Sequence, residues 1–197
     1  MSAAPAVPPR EAGDATPRAL ATPLARAEIE RLHAGDEVLL SGVIYTARDA
    51  AHERLTRLLA AGDPLPVDLG GEIIYYCGPT PARPGRPIGS AGPTTASRMD
   101  PYTPALLEHG VCGMIGKGRR SAAVKDAIRR FGAVYFAAVE GTAALLGRCV
   151  RSAEVVAFPD LGAEAVYRLV VERFPVVVAN DCHGGDVYED GRAMFRR

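Results

Sequence analysis

Apolar positions along the chain alternate between short unbroken runs and longer stretches where they recur every three or four residues. "EVLLSGVIYT" (37–46) is a run of β-branched and apolar residues and predicts a strand, bent at Gly42 or split into two there. "RDAAHERLTRLLAAG" (48–62) places Ala51, Leu55, Leu58 and Leu59 on one helical face, with Asp49 expected as its cap and Gly62 as its stop. "GEIIYYCG" (71–78) predicts another strand. The Pro/Gly/Arg stretch 79–87 that follows reads as a loop rather than a domain linker.

Asp100 precedes Pro101, and a residue before proline avoids the α region, so a helix begun at Thr94–Thr95 must be short. Thr103 is then expected to cap a second piece that has Pro104 at its first position and stops at Gly110. Beyond it, "VCGMIG" (111–116) predicts a buried strand, and "SAAVKDAIRRFG" (121–132) a helix capped by Ser121 and stopped by Gly132. Strands are expected over 133–139 and 152–160, a helix over "AEAVYRLVVERF" (163–174) and a last buried strand over 176–181. Continuous apolar strands spaced by helices give an α/β layered domain with a largely buried sheet. Residues 1–20, rich in Ala and Pro, read as a flexible tail; the domain takes 21–197, with order expected from about Leu24.

Composition narrows the classes. At 197 residues the chain suits one domain with a tail. Lys+Arg and Asp+Glu are both 23, which argues against a nucleic-acid partner, though net charge is blind to a small cationic pocket. Cys77, Cys112, Cys149 and Cys182 stand 33 to 37 residues apart, with no Cys-x-x-Cys pair and no local metal motif. Four reduced thiols in a cytoplasmic protein are expected. The N-terminal stretch has no apolar run of a secretory signal, and nothing approaches the ~18 unbroken apolar residues of a membrane span. A soluble protein is expected.

Candidate chemistry centres on "GSAGPTTASRMDPYTP" (89–104). Helical spacing puts Thr94 and Arg98 one turn apart at a helix start, where unpaired N–H groups attract anions. The competing reading is an ordinary threonine cap beside a solvated arginine. "MIGKGRR" (114–120) places Lys117 between glycines beyond a strand's carboxyl end, where α/β proteins bind ligands; the alternative is a solvated loop lysine. Arg48 sits at a strand-to-helix junction. His52, one turn on, reads as a structural donor before a catalyst. Asp181, His183 and Asp186 suggest either a metal site or, in preference, a solvated turn on Gly184–Gly185. Three cations, Arg48, Arg98 and Lys117, near strand ends or helix starts fit a small substrate with more than one carboxylate. Thr94 would need an activating partner to act as a base, and none is evident locally.

The segments "LLSGVIYTARDAAHERL", "IYYCGPTP", "GSAGPTTASRMDPYTPALLEHG" and "GMIGKGRR", in this order, resemble the β subunit of the iron–sulfur hydro-lyases. This is the family of tartrate dehydratase β subunits and of the C-terminal domain of class I fumarases. "AAVEGTAALLG" and "PVVVANDCHGGDVYED" match more loosely. The resemblance implies a swivelling β/β/α-type layered domain with a mixed sheet. It also implies reversible dehydration of a 2-hydroxy dicarboxylic acid, fumarate hydratase before L(+)-tartrate dehydratase. A 4Fe–4S cluster would be ligated by a partner α subunit rather than by this chain, in a hetero-oligomer. Residue by residue, Arg48, Arg98 and Lys117 fall on the family's substrate-binding positions. Thr94 falls on the proposed proton-abstracting base, activated by an aspartate of the α part. Arg119 is a departure, since many fumarases carry asparagine there. A non-catalytic dicarboxylate-binding or scaffold subunit is the alternative of another class.

Overall fold

The computed structural model describes residues 16–139 and 141–195. Its centre is β2 (Glu37–Thr46). One edge of β2 pairs in parallel with β1 (Arg18–Thr22) and then, at Tyr45 and Thr46, with β3 (Ile73–Tyr75). Its other edge runs antiparallel to β7 (Val166–Asn180). The parallel series continues through β4 (Gly113–Gly116) and β5 (Val134–Ala137), and β5 meets β7 antiparallel. β2, β3, β4, β5 and β7 thereby form a closed circuit of pairings, while β6 (Val150–Ala157) adds to the other half of β7. The sheet is mixed, in a layered α/β domain as expected.

Strand alternation sorts the core into two parts. Ile73 and Tyr75 join Leu40, Ile44, Ile115, Phe136, Leu169 and Phe174 in a cluster built mainly from the strands. Ile74 and Tyr76 point the other way, against Leu55 of α2 (Asp49–Ala61), Leu106 of α3 (Thr103–Glu108) and Ile128 of α4 (Ala122–Phe131). Each large apolar side chain so buried contributes about 1.5–3 kcal/mol. Short helices α1 (Arg26–Ile29) and α5 (Ala143–Cys149) add Ile29 and Leu146 to the first cluster. A last helix, α6 (Val187–Phe195), follows β7.

α2 and α4 end where expected, at Gly62 and Gly132, both left-handed. Ser121 caps α4 by accepting from the Val124 amide at 3.4 Å. Asp49 is not a cap: it is the first residue inside α2, with Arg48 at the cap position making no side-chain cap bond. Thr103 likewise lies inside α3, its hydroxyl donating to the Met99 carbonyl at 2.9 Å. Arg18–Leu20, placed in the tail by composition, belong to β1; residues 1–15 of that tail lie outside the described residues.

The helix expected over 163–174 does not form. The stretch opens within a 3₁₀ segment (Pro159–Glu164), and from Val166 it is the first half of β7. Leu169 and Val171 are buried on one phase, then Phe174, Val176 and Val178 on the other. A register shift opposite Leu40/Gly42 and the left-handed Arg173 (φ 49°) fall between them. A bulge re-phases the two-residue alternation, and the resulting spacing imitates a helix. No helix among the described residues is long and apolar enough to cross a membrane.

Candidate active site

The site forms where β2, β3 and β4 end. Arg48 follows β2 by two residues, in an extended conformation (φ −119°, ψ −164°) just before α2. It lies across Gly78: a Cβ there would stand 3.2 Å from Arg48 Nη1 and 2.9 Å from the Ala163 carbonyl oxygen, so only glycine leaves room. Beyond β4, Thr95 and Lys117 form a parallel bridge. The Lys117 amide donates to the Thr94 carbonyl at 3.2 Å, and the Ala96 amide to the Lys117 carbonyl at 2.8 Å. Thr94 is thereby stitched beside Lys117, and its own amide donates to the Tyr76 carbonyl at 2.7 Å.

The threonine cap expected in "GPTTASR" does not form. The segment continues as a 3₁₀ turn of four residues, Ala96–Met99, whose cap residue Thr95 makes no side-chain cap bond. The amides of Thr94, Ala96 and Lys117 are spent on carbonyls. The positive charge at this place comes from side chains.

Two of those side chains, Arg48 and Arg98, converge on Asp49. Arg98 Nε donates to Asp49 Oδ1 at 2.9 Å, and its Nη2 lies 2.8 Å from Oδ2. The same Oδ2 is 3.8 Å from Arg48 Nη2, which also stands 3.3 Å from Glu164 Oε1. Two guanidinium groups from separate elements therefore flank one carboxylate position, occupied by Asp49. Arg48 Nε is buried and without a partner. Lys117 is half-buried on the neighbouring strand extension, and Thr94 is half-buried beside it. Neither of two cavities, about 280 and 260 Å³, is lined by these four residues.

His52 is a structural donor. Its Nδ1 lies 2.9 Å from the Arg48 carbonyl oxygen, an acceptor, so Nδ1 carries the proton. Its ring meets Tyr76 edge-on at 5.2 Å. Burial pulls the imidazole down to about 4, against the Arg48 hydrogen bond and with help from the Arg120 charge.

The turn reading of 180–190 is the one the structure supports: His183 and Gly184 are exposed, and Asp181 and Asp186 on either side are buried. Asp181 accepts backbone N–H bonds from Ala34, His183 and Gly185 at 2.8–2.9 Å. Asp186 takes Lys125 at 3.1 Å and the Tyr188 amide.

The described residues do not fit an iron–sulfur cluster held by this chain. No group of three or more His, Cys, Asp or Glu among them is placed to hold a metal. Burial pushes the Cys77 and Cys112 thiols up to about 12.

Sequence reasoning missed Asp49 as a partner of Arg98 and passed over Asp100 and Arg120. The side chain of Arg120 is fully buried and paired with Asp100 at 2.7 Å. The only signal was their adjacency to the motifs, in "RMD" and "GRR".

A family model described as "Fumarase C-terminus" matches residues 2–191. Fumarate hydratase 1, mitochondrial, of Leishmania major is 41% identical over 152 residues, covering 76% of this chain and 28% of that protein. The anaerobic class I fumarate hydratase of Escherichia coli is 39% identical, covering 83% of this chain and 30% of that protein. The chain thus spans less than a third of the length of these two relatives. A putative L(+)-tartrate dehydratase subunit beta of Methanocaldococcus jannaschii is 38% identical over 173 residues, with 85% of this chain and 89% of that protein covered.

Proposed function

The chain belongs to the fumarase C-terminus family, and we propose that it supplies the β-type half of an iron–sulfur hydro-lyase, with malate-to-fumarate dehydration the favoured reaction. The observation that carries this reading is the Arg48–Asp49–Arg98 arrangement: one acidic side chain holds two arginines from different elements side by side. Planar guanidinium forks suit carboxylates, and Lys117 adds a point charge for the second carboxylate of a diacid.

In this reading Arg48, Arg98 and Lys117 bind and orient the substrate carboxylates. Thr94 sits beside Lys117, where its hydroxyl takes the proton from the substrate carbon. A threonine hydroxyl needs a base to do so, and an aspartate of an α-type partner supplies it. The 4Fe–4S cluster belongs to that partner, since the cysteines of this chain do not fit it. The working protein is a hetero-oligomer in the cytoplasm, active only when both parts are present.

Dehydration of tartrate is the second reading, favoured by the near-complete overlap with the putative tartrate dehydratase subunit beta. The chain co-produced with its α-type partner, and supplied in turn with malate and tartrate, tests the choice. Formation of fumarate from malate with at least about tenfold higher kcat/KM than tartrate dehydration, a gap of about 1.4 kcal/mol, supports the first reading; the reverse order replaces it with the second.

A further inference from the structure

We propose that Arg120 and Asp100 form a positioning pair that fixes Arg98 and Lys117 relative to one another; the proposal rests on the site described above. The two segments that carry the site, 94–100 and 117–120, are joined by a backbone ladder and by an ion pair. The ladder is that of Thr94 and Ala96 with Lys117. The ion pair links Asp100, two residues beyond Arg98, to Arg120, three beyond Lys117.

Each polar edge of Arg120 is committed to a different element. Its Nε donates to Asp100 Oδ1 at 2.7 Å, Nη1 to the Tyr76 hydroxyl at 3.1 Å and Nη2 to Thr103 Oγ1 at 2.7 Å. Its guanidinium carbon lies 5.3 Å from the centre of the Tyr76 ring and 5.0 Å from that of Tyr135. Asp100 uses its other oxygen to accept the Ser121 amide at 2.8 Å, at the start of α4. The Tyr135 hydroxyl donates to the Gly118 carbonyl at 2.9 Å, holding the loop just after Lys117. Burial opposes the charge of Arg120, but Tyr76 and Asp100 outweigh it and the guanidinium stays charged.

A buried ion pair is weak evidence for stability, because apolar residues of similar volume often serve as well. It does fix geometry, since three directed hydrogen bonds admit one arrangement. Lysine cannot reproduce that fork. Here the arrangement sets the spacing between the end of "TTASRMD" and the end of "GKGRR".

Removing one partner alone strands a buried charge and risks the fold, so the test uses Arg120→Met with Asp100→Asn. The carboxamide oxygen that replaces the Asp100 carboxylate still accepts the Ser121 amide, and Tyr76 and Thr103 keep each other at 3.3 Å. The double variant, in complex with its partner, is expected to melt within about 5 °C of wild type. Its KM for the diacid should rise about tenfold and its kcat fall about tenfold, since small misplacements near a reacting centre cost on the order of 10²-fold. A purely structural role would lower the active fraction, hence kcat, and leave KM unchanged; an unchanged KM overturns the proposal. Hydrogen exchange of the Ala96 and Lys117 amides, measured on the chain itself, is the independent readout. Both should exchange at least about tenfold faster in the double variant, as local opening becomes easier, and unchanged exchange overturns the proposal. If the wild-type complex turns over no 2-hydroxy diacid, the functional reading fails, and the exchange measurement still decides the role of the pair.

Discussion

Asp49 holds Arg98 side-on, through Nε at 2.9 Å and Nη2 at 2.8 Å. This leaves the Nη1 side of the guanidinium for another anion. Asp49 is also the first residue of α2, where the helix dipole favours a carboxylate. Arg48, one residue earlier, is 3.8 Å from the same carboxylate. One acidic side chain thus aligns both arginines.

Replacing Asp49 with alanine should raise KM for the diacid about tenfold, because Arg98 loses the partner that orients it, a change of about 1.4 kcal/mol. Arg98 is half-exposed and exposed ion pairs are worth little to folding, so the thermal midpoint should hardly move. Steady-state kinetics with a parallel melting curve checks both.

Arg48→Lys and Arg98→Lys keep the charge and lose the fork. Each is expected to lower kcat/KM by about 10–100-fold, mostly through KM, since a bidentate carboxylate contact becomes a point charge. A KM within about twofold of wild type for either variant would remove that arginine from substrate binding.

Thr94→Ala should lower kcat by at least about 10²-fold with KM within about threefold, the pattern of a lost proton-transfer group. Thr94→Ser keeps the hydroxyl and should recover most of the loss. Equal kcat for the alanine and serine variants would exclude the base role.

His52 gives the fold a pH dependence. Its imidazole titrates at about 4 when folded, against an ordinary value of 6.5, because burial disfavours the charged form. Stability from keeping it neutral is complete above pH 6.5 and is lost as pH falls toward 4, where the unfolded chain binds the extra proton. The loss amounts to roughly 3 kcal/mol. Urea unfolding at stepped pH should show this slope, and His52→Leu should flatten it.

Much of the fold was legible where local chemistry decides it. α2 and α4 could be read from their apolar faces and glycine stops, and β4 and β5 from unbroken apolar runs. The second half of β7 was read as a strand, but its first half was misread because the bulge at Arg173 shifts the buried phase from Leu169 and Val171 to Phe174 and Val176, a tertiary effect that a single-period test takes for helix. Lys117 stood out between glycines beyond a strand, Arg48 at a strand-to-helix junction, and Thr94 and Arg98 one turn apart at an expected helix start. Asp49 was visible only as a presumed cap. The Arg120–Asp100 pair spans 20 residues of chain and depends on Tyr76 and Tyr135 from two strands, so no local pattern announces it.

The most direct test combines this chain with an α-type partner carrying an intact iron–sulfur cluster and follows fumarate formed from malate. Turnover should require both components and vanish when either is omitted. Full turnover by this chain alone, without iron, would contradict the account.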